Sequence, residues 1–316
     1  MTQIFSKFSI YLLNSLSAIS WKNAFILSDV INYLLFDVIG YRKKVILKNL
    51  RNSFPDKSEA EIQAIAQAYH QHLTDLIVET IKFKTAPEAE ILERMQGDIN
   101  IMNRYFQQGK NLIYLMGHRG NWELANLFSS LCFQHECIVV YRPLQNAESE
   151  KWFLELRTRF NATMVPMNQV FRELQKKRTR PYVLVLANDQ SPVPQTAFWT
   201  QFLNQDTGVF RGVEAIARRY NLTVLNADFK KTPNKRGYYQ LDIKVITEDP
   251  CAMRNNEILE RQLRILESDI VEQPENWLWS HRRWKHKRPN HIKSDQLLAP
   301  VSRPIEEGTA QFQNQI

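Results

Sequence analysis

The chain is 316 residues long, with 44% hydrophobic and 23% charged residues. This is a globular composition that excludes disordered and collagen-like classes and can bury a large core as one domain or two modest ones. Its 41 Lys and Arg against 33 Asp and Glu give a formal charge of +8 and an isoelectric point near 9.3; such a balance suits an anionic partner (nucleic acid, phosphorylated lipid or an acidic carrier protein) without choosing among them. Cys132, Cys137 and Cys251 form neither a disulfide framework nor zinc-ligand spacing, and point to a reducing compartment.

Two apolar stretches open the chain, Ile4 to Trp21 and Ala24 to Gly40, interrupted by Lys22, Asp29 and Asp37. Neither is the charge-free run of about 20 residues that a membrane span needs, and neither is framed as a cleavable signal peptide. Phe5, Phe8, Leu12, Leu16 and Ile19 recur at helical spacing, which suits a helix lying in a membrane interface; a helix docked on the protein's own core carries the same pattern. A basic stretch from Gly40 to Pro55 follows. Ser58-Glu-Ala-Glu61 then reads as a capping box opening a helix to about Lys84. His70 and His72 on that helix face different sides and read as ordinary helix residues rather than a metal pair.

From residue 110 the pattern becomes short apolar runs, Asn111–Met116, Cys137–Tyr141, Tyr182–Ala187 and Leu222–Asp228, alternating with helical stretches around 122–133, 146–160, 168–177 and 211–220. This predicts an α/β fold with a mixed, mostly parallel central sheet flanked by helices. Tyr238–Val245 reads as a further strand, antiparallel to its neighbour after the turn Pro233–Gly237, and a helix from about Asn255 to Val271 follows. Beyond Pro289 the tail is polar and expected to be loosely ordered.

The segment Asn111-Leu-Ile-Tyr-Leu-Met-Gly-His-Arg-Gly-Asn-Trp-Glu123 carries the most chemistry. A histidine with a nearby carboxylate is the minimal equipment for removing a proton from a hydroxyl. Residues five apart on a continuous helix point about 140° away from each other, so His118 and Glu123 meet only if the stretch between them is partly non-helical. Gly117 and Gly120 permit such a turn, and Trp122 onward reads as a helix start that favours the Glu123 charge. The alternative is a surface histidine with an unrelated glutamate nearby. In parallel sheets ligands gather beyond the carboxyl ends of strands. His118 follows the first strand, Arg142 ends the second and Asp189-Gln190 follow the third, so the three are expected at one edge. Trp277, Trp279 and Trp284, with His281, Arg282, Arg283, Lys285 and His286, suit a membrane interface; such mixing also occurs in nucleic-acid binders, and the tryptophans alternatively pack on the core, with the basic residues partly exposed.

Gly-His-Arg-Gly-Asn-Trp-Glu resembles the His-x4-Asp/Glu signature of the bacterial lipid A late acyltransferases. The similarity continues through Gly40-Tyr-Arg-Lys-Lys, Asn49-Leu-Arg-Asn-Ser-Phe-Pro55, Tyr141-Arg-Pro-Leu-Gln-Asn146, Asp189-Gln190 and Pro274-Glu-Asn-Trp-Leu-Trp-Ser-His-Arg-Arg-Trp-Lys285, blocks in the family's order over roughly residues 25–288. Two segments depart from it: Arg119 stands where an aromatic is common, and Phe202 to Gly212 replaces the more usual Phe-Phe-Gly segment, which leaves the acceptor open.

The resemblance implies a glycerolipid acyltransferase-like domain over 45–290, preceded by membrane-interfacial helices over 1–44 and followed by the tail 291–316. It implies transfer of a fatty acyl group from acyl carrier protein or acyl-CoA, as co-substrate rather than cofactor, to a hydroxyl of a lipid A precursor or related anionic lipid. The setting would be the cytoplasmic face of a bacterial inner membrane, with no metal. In that chemistry His118 is the candidate general base and Glu123 the group that holds its tautomer. Arg142, the 117–122 backbone amides or Asn121 are candidate oxyanion donors, with Arg142 alternatively paired to Glu148. Asp189 and Gln190 position the acceptor, brace Arg142 or simply end a strand; Arg211 and Arg218 contact phosphate or lie on solvated helix faces. A lysophospholipid or amine-containing lipid is the alternative acceptor. A nucleic-acid-binding protein is the reading of another class, although the chain shows no recognised nucleic-acid module.

Overall fold

The structure is a computed structural model that describes residues 11–290; Phe5, Phe8 and the tail 291–316 lie outside the described residues. Strand β2 (Leu112–Met116) is buried at every position. Leu112, Tyr114 and Met116 enter one apolar cluster, and Ile113 and Leu115 enter the other. Alternate side chains of a strand point to opposite faces, so an uninterrupted apolar run is what a strand needs when helices cover both sides. Around it lie β1 (Met95–Gly97), β3 (Glu136–Tyr141), β4 (Thr163–Pro166), β5 (Tyr182–Ala187), β8 (Thr223–Lys231) and β9 (Tyr239–Thr247), in the order β1-β9-β8-β2-β5-β3-β4. The pairings of β2 with β5 and β8, and of β3 with β4 and β5, are parallel. β9 runs antiparallel to β8, as its short turn dictates, and β1 pairs parallel to β9.

The mixed, mostly parallel sheet is thus the expected one, with three additions. β1 and β4 are only three and four residues long, too short to display a period. β6 (Phe198–Phe202) and β7 (Gln205–Val209) form a separate antiparallel hairpin. Its two-residue turn places Leu203 at φ 48° and Asn204 at φ 60°, the conformation that Asn-Gly usually signals; a leucine there hides the hairpin from sequence reading.

Helices α1 (Trp21–Asn32), α2 (Lys43–Ser53) and α3 (Glu59–Phe83) precede the sheet. The capping box at α3 is present: Ser58 Oγ accepts from Glu61 N–H and the Glu61 carboxylate accepts from Ser58 N–H at 2.8 Å. α1 runs into a π-helical turn, Tyr33–Val38. One side of α1 docks on the protein itself, through Ser28 Oγ donating to Asp75 at 2.7 Å and through Arg236, which bridges Asp75 and Asp29. Ile26, Val30, Tyr33, Leu34 and Val38 remain exposed on its outer side. Among the described residues no single helix is long and apolar enough to cross a membrane, and Trp21–Val38 with Lys43–Ser53 form a pair bent by 88°.

Glu79 of α3 is fully buried and accepts hydrogen bonds from Asn121 Nδ2 at 2.7 Å and Tyr239 OH at 2.8 Å. Burial and the Asp75 charge push its carboxyl up from 4.5 to about 7. An acid with a raised folded pKa binds an extra proton on folding, so its stabilising contribution is full below the unfolded value and is lost as pH rises towards the folded one. Glu79→Gln is therefore expected to melt progressively later than the parent as pH climbs from 4.5 to about 7. Melting curves followed by circular dichroism check this, and a constant offset across that window would contradict it.

Candidate active site

The site follows from strand register. Met116 of β2 pairs with Ala187 of β5, and the Asn188 N–H extends the ladder by donating to the Met116 carbonyl at 3.2 Å. Two residues further along each parallel strand stand His118 and Asp189, side by side. Asp189 is 3% exposed and its carboxylate accepts three hydrogen bonds: from the His118 backbone N–H at 2.6 Å, from His118 Nδ1 at 2.6 Å and from Trp277 Nε1 at 2.8 Å.

A carboxylate is an acceptor only, so it keeps the proton on Nδ1, which donates to it, and leaves the lone pair on Nε2. Burial alone would lower the His118 pKa, but the Asp189 charge and hydrogen bond outweigh it and raise it. Burial likewise works against the charged form of Asp189, yet His118 and the donors around it hold this carboxyl well below the usual range. The imidazole is 19% exposed, Trp122 meets it edge-on at 5.2 Å, and the Gln190 amide nitrogen lies 3.1 Å from Nε2.

The turn that carries His118 is held from three sides. Gly120 has φ +58°, and a Cβ there would collide with the Phe229 carbonyl. A Cβ at Gly117 would lie 2.8 Å from Leu266. The segment after the helix α10 (Glu257–Glu272) pairs with the turn: Gly120 N–H donates to the Asn276 carbonyl at 2.9 Å and Leu278 N–H to the His118 carbonyl at 3.2 Å. Beneath it Arg119 is fully buried and ion-paired with Asp228 of β8. Arg119, which departs from the family's aromatic, therefore points into the fold.

Three expectations need correction. Glu123, in the first turn of α6 (Trp122–Cys132), does not hold the imidazole; it forms a bidentate pair with Arg157 at 2.5 and 2.9 Å. Its charge raises the His118 pKa from a distance, and Arg157 opposes it. The carboxylate on Nδ1 is Asp189, because register rather than sequence proximity brings it there. Asn121 is no free oxyanion donor: its oxygen caps α6 at Leu124 N–H and its Nδ2 is spent on Glu79. The His118 and Gly120 amides are spent as well. Arg283, expected partly exposed, is 3% exposed and donates to the Gly208 carbonyl, and its burial pulls its pKa down to about 10.

Arg142 lies just past β3, exposed and without an ion pair among the described residues; Glu150 rather than Glu148 organises its turn, by accepting from Tyr141 OH and Leu144 N–H at 2.8 Å each. Arg211 is exposed at the start of α9 (Gly212–Tyr220). Arg218 is engaged by Glu214 and by the Met253 and Arg254 carbonyls. Trp277 is the site residue that sequence reading leaves among packing residues, and nothing local to it signals its bond to a carboxylate 88 positions away. Among the described residues no three His, Cys, Asp or Glu side chains gather in a metal-holding arrangement.

A carboxylate-braced imidazole at the carboxyl edge of an α/β sheet, followed by a glycine turn and a helix, is an arrangement able to accept a proton from a hydroxyl or water. Residues 6–286 match the family of bacterial lipid A biosynthesis acyltransferases, to which the chain belongs. It is similar to a lipid A biosynthesis palmitoleoyltransferase of Escherichia coli (strain K12) and to a lipid A biosynthesis acyltransferase of Shigella flexneri. Each is 22% identical over 246 residues, covering 77% of this chain and 79% of the relative.

The geometry ranks the two carboxylates. Asp189→Asn is expected to lower acyl transfer by about 10²–10⁴-fold, the range that general-base help supplies. It is also expected to move the acidic limb of kcat/KM against pH to lower pH, because removing the charge that raises His118 leaves the base unprotonated earlier. Glu123→Gln is expected to lose about tenfold or less, since no hydrogen bond to the imidazole disappears. The reverse ranking would return the orienting role to Glu123.

Proposed function

We propose that this acyltransferase moves a fatty acyl chain from an acyl thioester, carried by acyl carrier protein, to a hydroxyl of a lipid A precursor at the cytoplasmic face of the inner membrane. The observation that carries the reading is the Asp189–His118 pair, whose Nε2 lies 3.1 Å from the Gln190 amide nitrogen, in a chain of this family. In the proposed step Nε2 takes the acceptor's O–H proton as the oxygen attacks the thioester carbonyl. The tetrahedral intermediate collapses with cleavage of the C–S bond, and the imidazolium returns the proton to the leaving sulfur. Asp189 stabilises the imidazolium formed between the two transfers.

The oxyanion needs a donor that is not already bonded. Arg142, at the end of β3 on the far side of β5 from β2 and free of an ion pair among the described residues, fits that role better than Asn121. The Gln190 amide stands where the acceptor hydroxyl must arrive, and in this reading it moves aside or turns to hold that hydroxyl. The net positive charge supports an acidic donor carrier and a phosphorylated acceptor.

Purified protein supplied with acyl carrier protein thioester and lipid A precursor is expected to add one acyl chain, detected by mass spectrometry. His118→Ala is expected to lose about 10²–10⁴-fold in rate while keeping the parent's circular dichroism spectrum. Turnover retained in that variant rules out the mechanism. Acylation of a lysophospholipid or of an amine-containing lipid, with the lipid A precursor untouched, reassigns the acceptor.

A further inference from the structure

The large apolar side chains exposed at the carboxyl edge are not scattered. Leu144, Met167 and Val193 are 42%, 53% and 61% exposed. They stand on the three segments that follow β3, β4 and β5, the strands lying consecutively on one side of β2. Parallel strands deliver all three to the edge that carries His118.

Each is held outward by its surroundings. Glu150 pins the Leu144 turn through the Leu144 N–H and Tyr141 OH. Val193 lies between Pro192 and Pro194, whose rings fix φ, and Ser191 Oγ ties that loop to the Arg283 carbonyl at 2.6 Å. Met167 opens a 3-10 turn that runs directly into a short helix exposing Phe171 at 47%. Across β2, the β8–β9 turn carries Arg236, which grips Asp29 of α1, and the outer side of α1 and its π turn exposes Ile26, Val30 and Tyr33. His118 therefore lies along the edge between two apolar patches.

We propose that this rim and the outer side of α1 together form a docking surface for an anionic lipid bilayer, so that the carboxyl edge of the sheet faces the membrane. The inference rests on the acyl-transfer reading above and adds to it the orientation of the enzyme and the residues that set it. Charge complementarity selects the partner. Arg142 adjoins Leu144, Arg172 adjoins Phe171, and Lys43, Lys44 and Lys48 stand exposed on α2, all without ion pairs among the described residues. Apolar protrusions interleaved with unpaired cations match the depth profile of a membrane interface, with acyl chains beneath anionic headgroups. The prolines and Glu150 hold the rim in place beforehand, so little ordering is needed when it inserts.

Two measurements on the full chain test this, with vesicles of phosphatidylethanolamine and phosphatidylglycerol. The variant Leu144→Asp, Met167→Asp, Val193→Asp is expected to bind them about tenfold or more weakly than the parent, while its turnover on detergent-dispersed substrates stays close to the parent's. An environment-sensitive fluorophore on Val193→Cys, in a Cys132→Ala, Cys251→Ser background, is expected to shift to the blue when vesicles are added. Unchanged binding by the triple variant, or a fluorophore unmoved by vesicles, overturns the proposal. A shift evoked by acyl carrier protein and not by vesicles also overturns it, giving the rim to a protein partner. A parent inactive in detergent would remove the acyl-transfer reading, whereas the vesicle measurements would still decide the orientation.

Discussion

Asp189 is a carboxylate almost wholly removed from water, and an uncompensated buried charge costs several kcal/mol. Its ionisation is sustained by two donors of one residue, His118, and by an indole from the far end of the chain. The parallel register of β2 and β5 places the histidine, the bridge between residues 119 and 277 places the indole, and the absence of a side chain at Gly117 leaves room for the carboxylate beside Leu266. Disturbing any one of these leaves charge without a partner. Imidazole orientation, tautomer and the raised basicity of Nε2 all descend from that single arrangement.

A second layer of charge sits behind the first and fixes the turn in place. Arg119 with Asp228 anchors the turn to β8, and Glu123 with Arg157 joins α6 to α7 (Ala147–Arg157). Asn121, gripped by Glu79, fixes the start of α6. Each pair binds a different neighbouring element, so the turn cannot rotate as a unit. Rigid support of this kind holds the His118 side chain in one place and orientation.

Local signals carried much of the fold. The period of α3, its capping box and the apolar runs of β2, β5 and β8 are legible because each is decided by neighbours a few residues away. β1, β4 and the Leu203-Asn204 hairpin were not, being too short or lacking the usual turn residues. The edge where His118, Arg142 and Asp189 gather follows from the alternation of strands and helices. The pairing within that edge does not. Glu123 is close in sequence and attached elsewhere; Asp189 is 71 positions away and in contact. Only the register of two strands distinguishes them, and register is a property of the assembled sheet. Burial of Arg283 was equally hidden, because its acceptor is a backbone carbonyl on a hairpin that the sequence does not announce.

The bonds that close the structure reach across most of its length. Asn49 Nδ2 donates to the carbonyls of Trp279 and His281, Tyr69 OH accepts from the Ser280 N–H, and Arg42 donates to the Ser280 carbonyl. During synthesis, which runs from the N-terminus, the strands and α3 emerge long before their last partners. A chain still on the ribosome and short of residue 277 would hold Asp189 without its indole and the His118 carbonyl without its donor. Contacts of such sequence separation form late and slow folding. Until synthesis has passed residue 278, the Asp189 carboxylate and the His118 turn lack these partners.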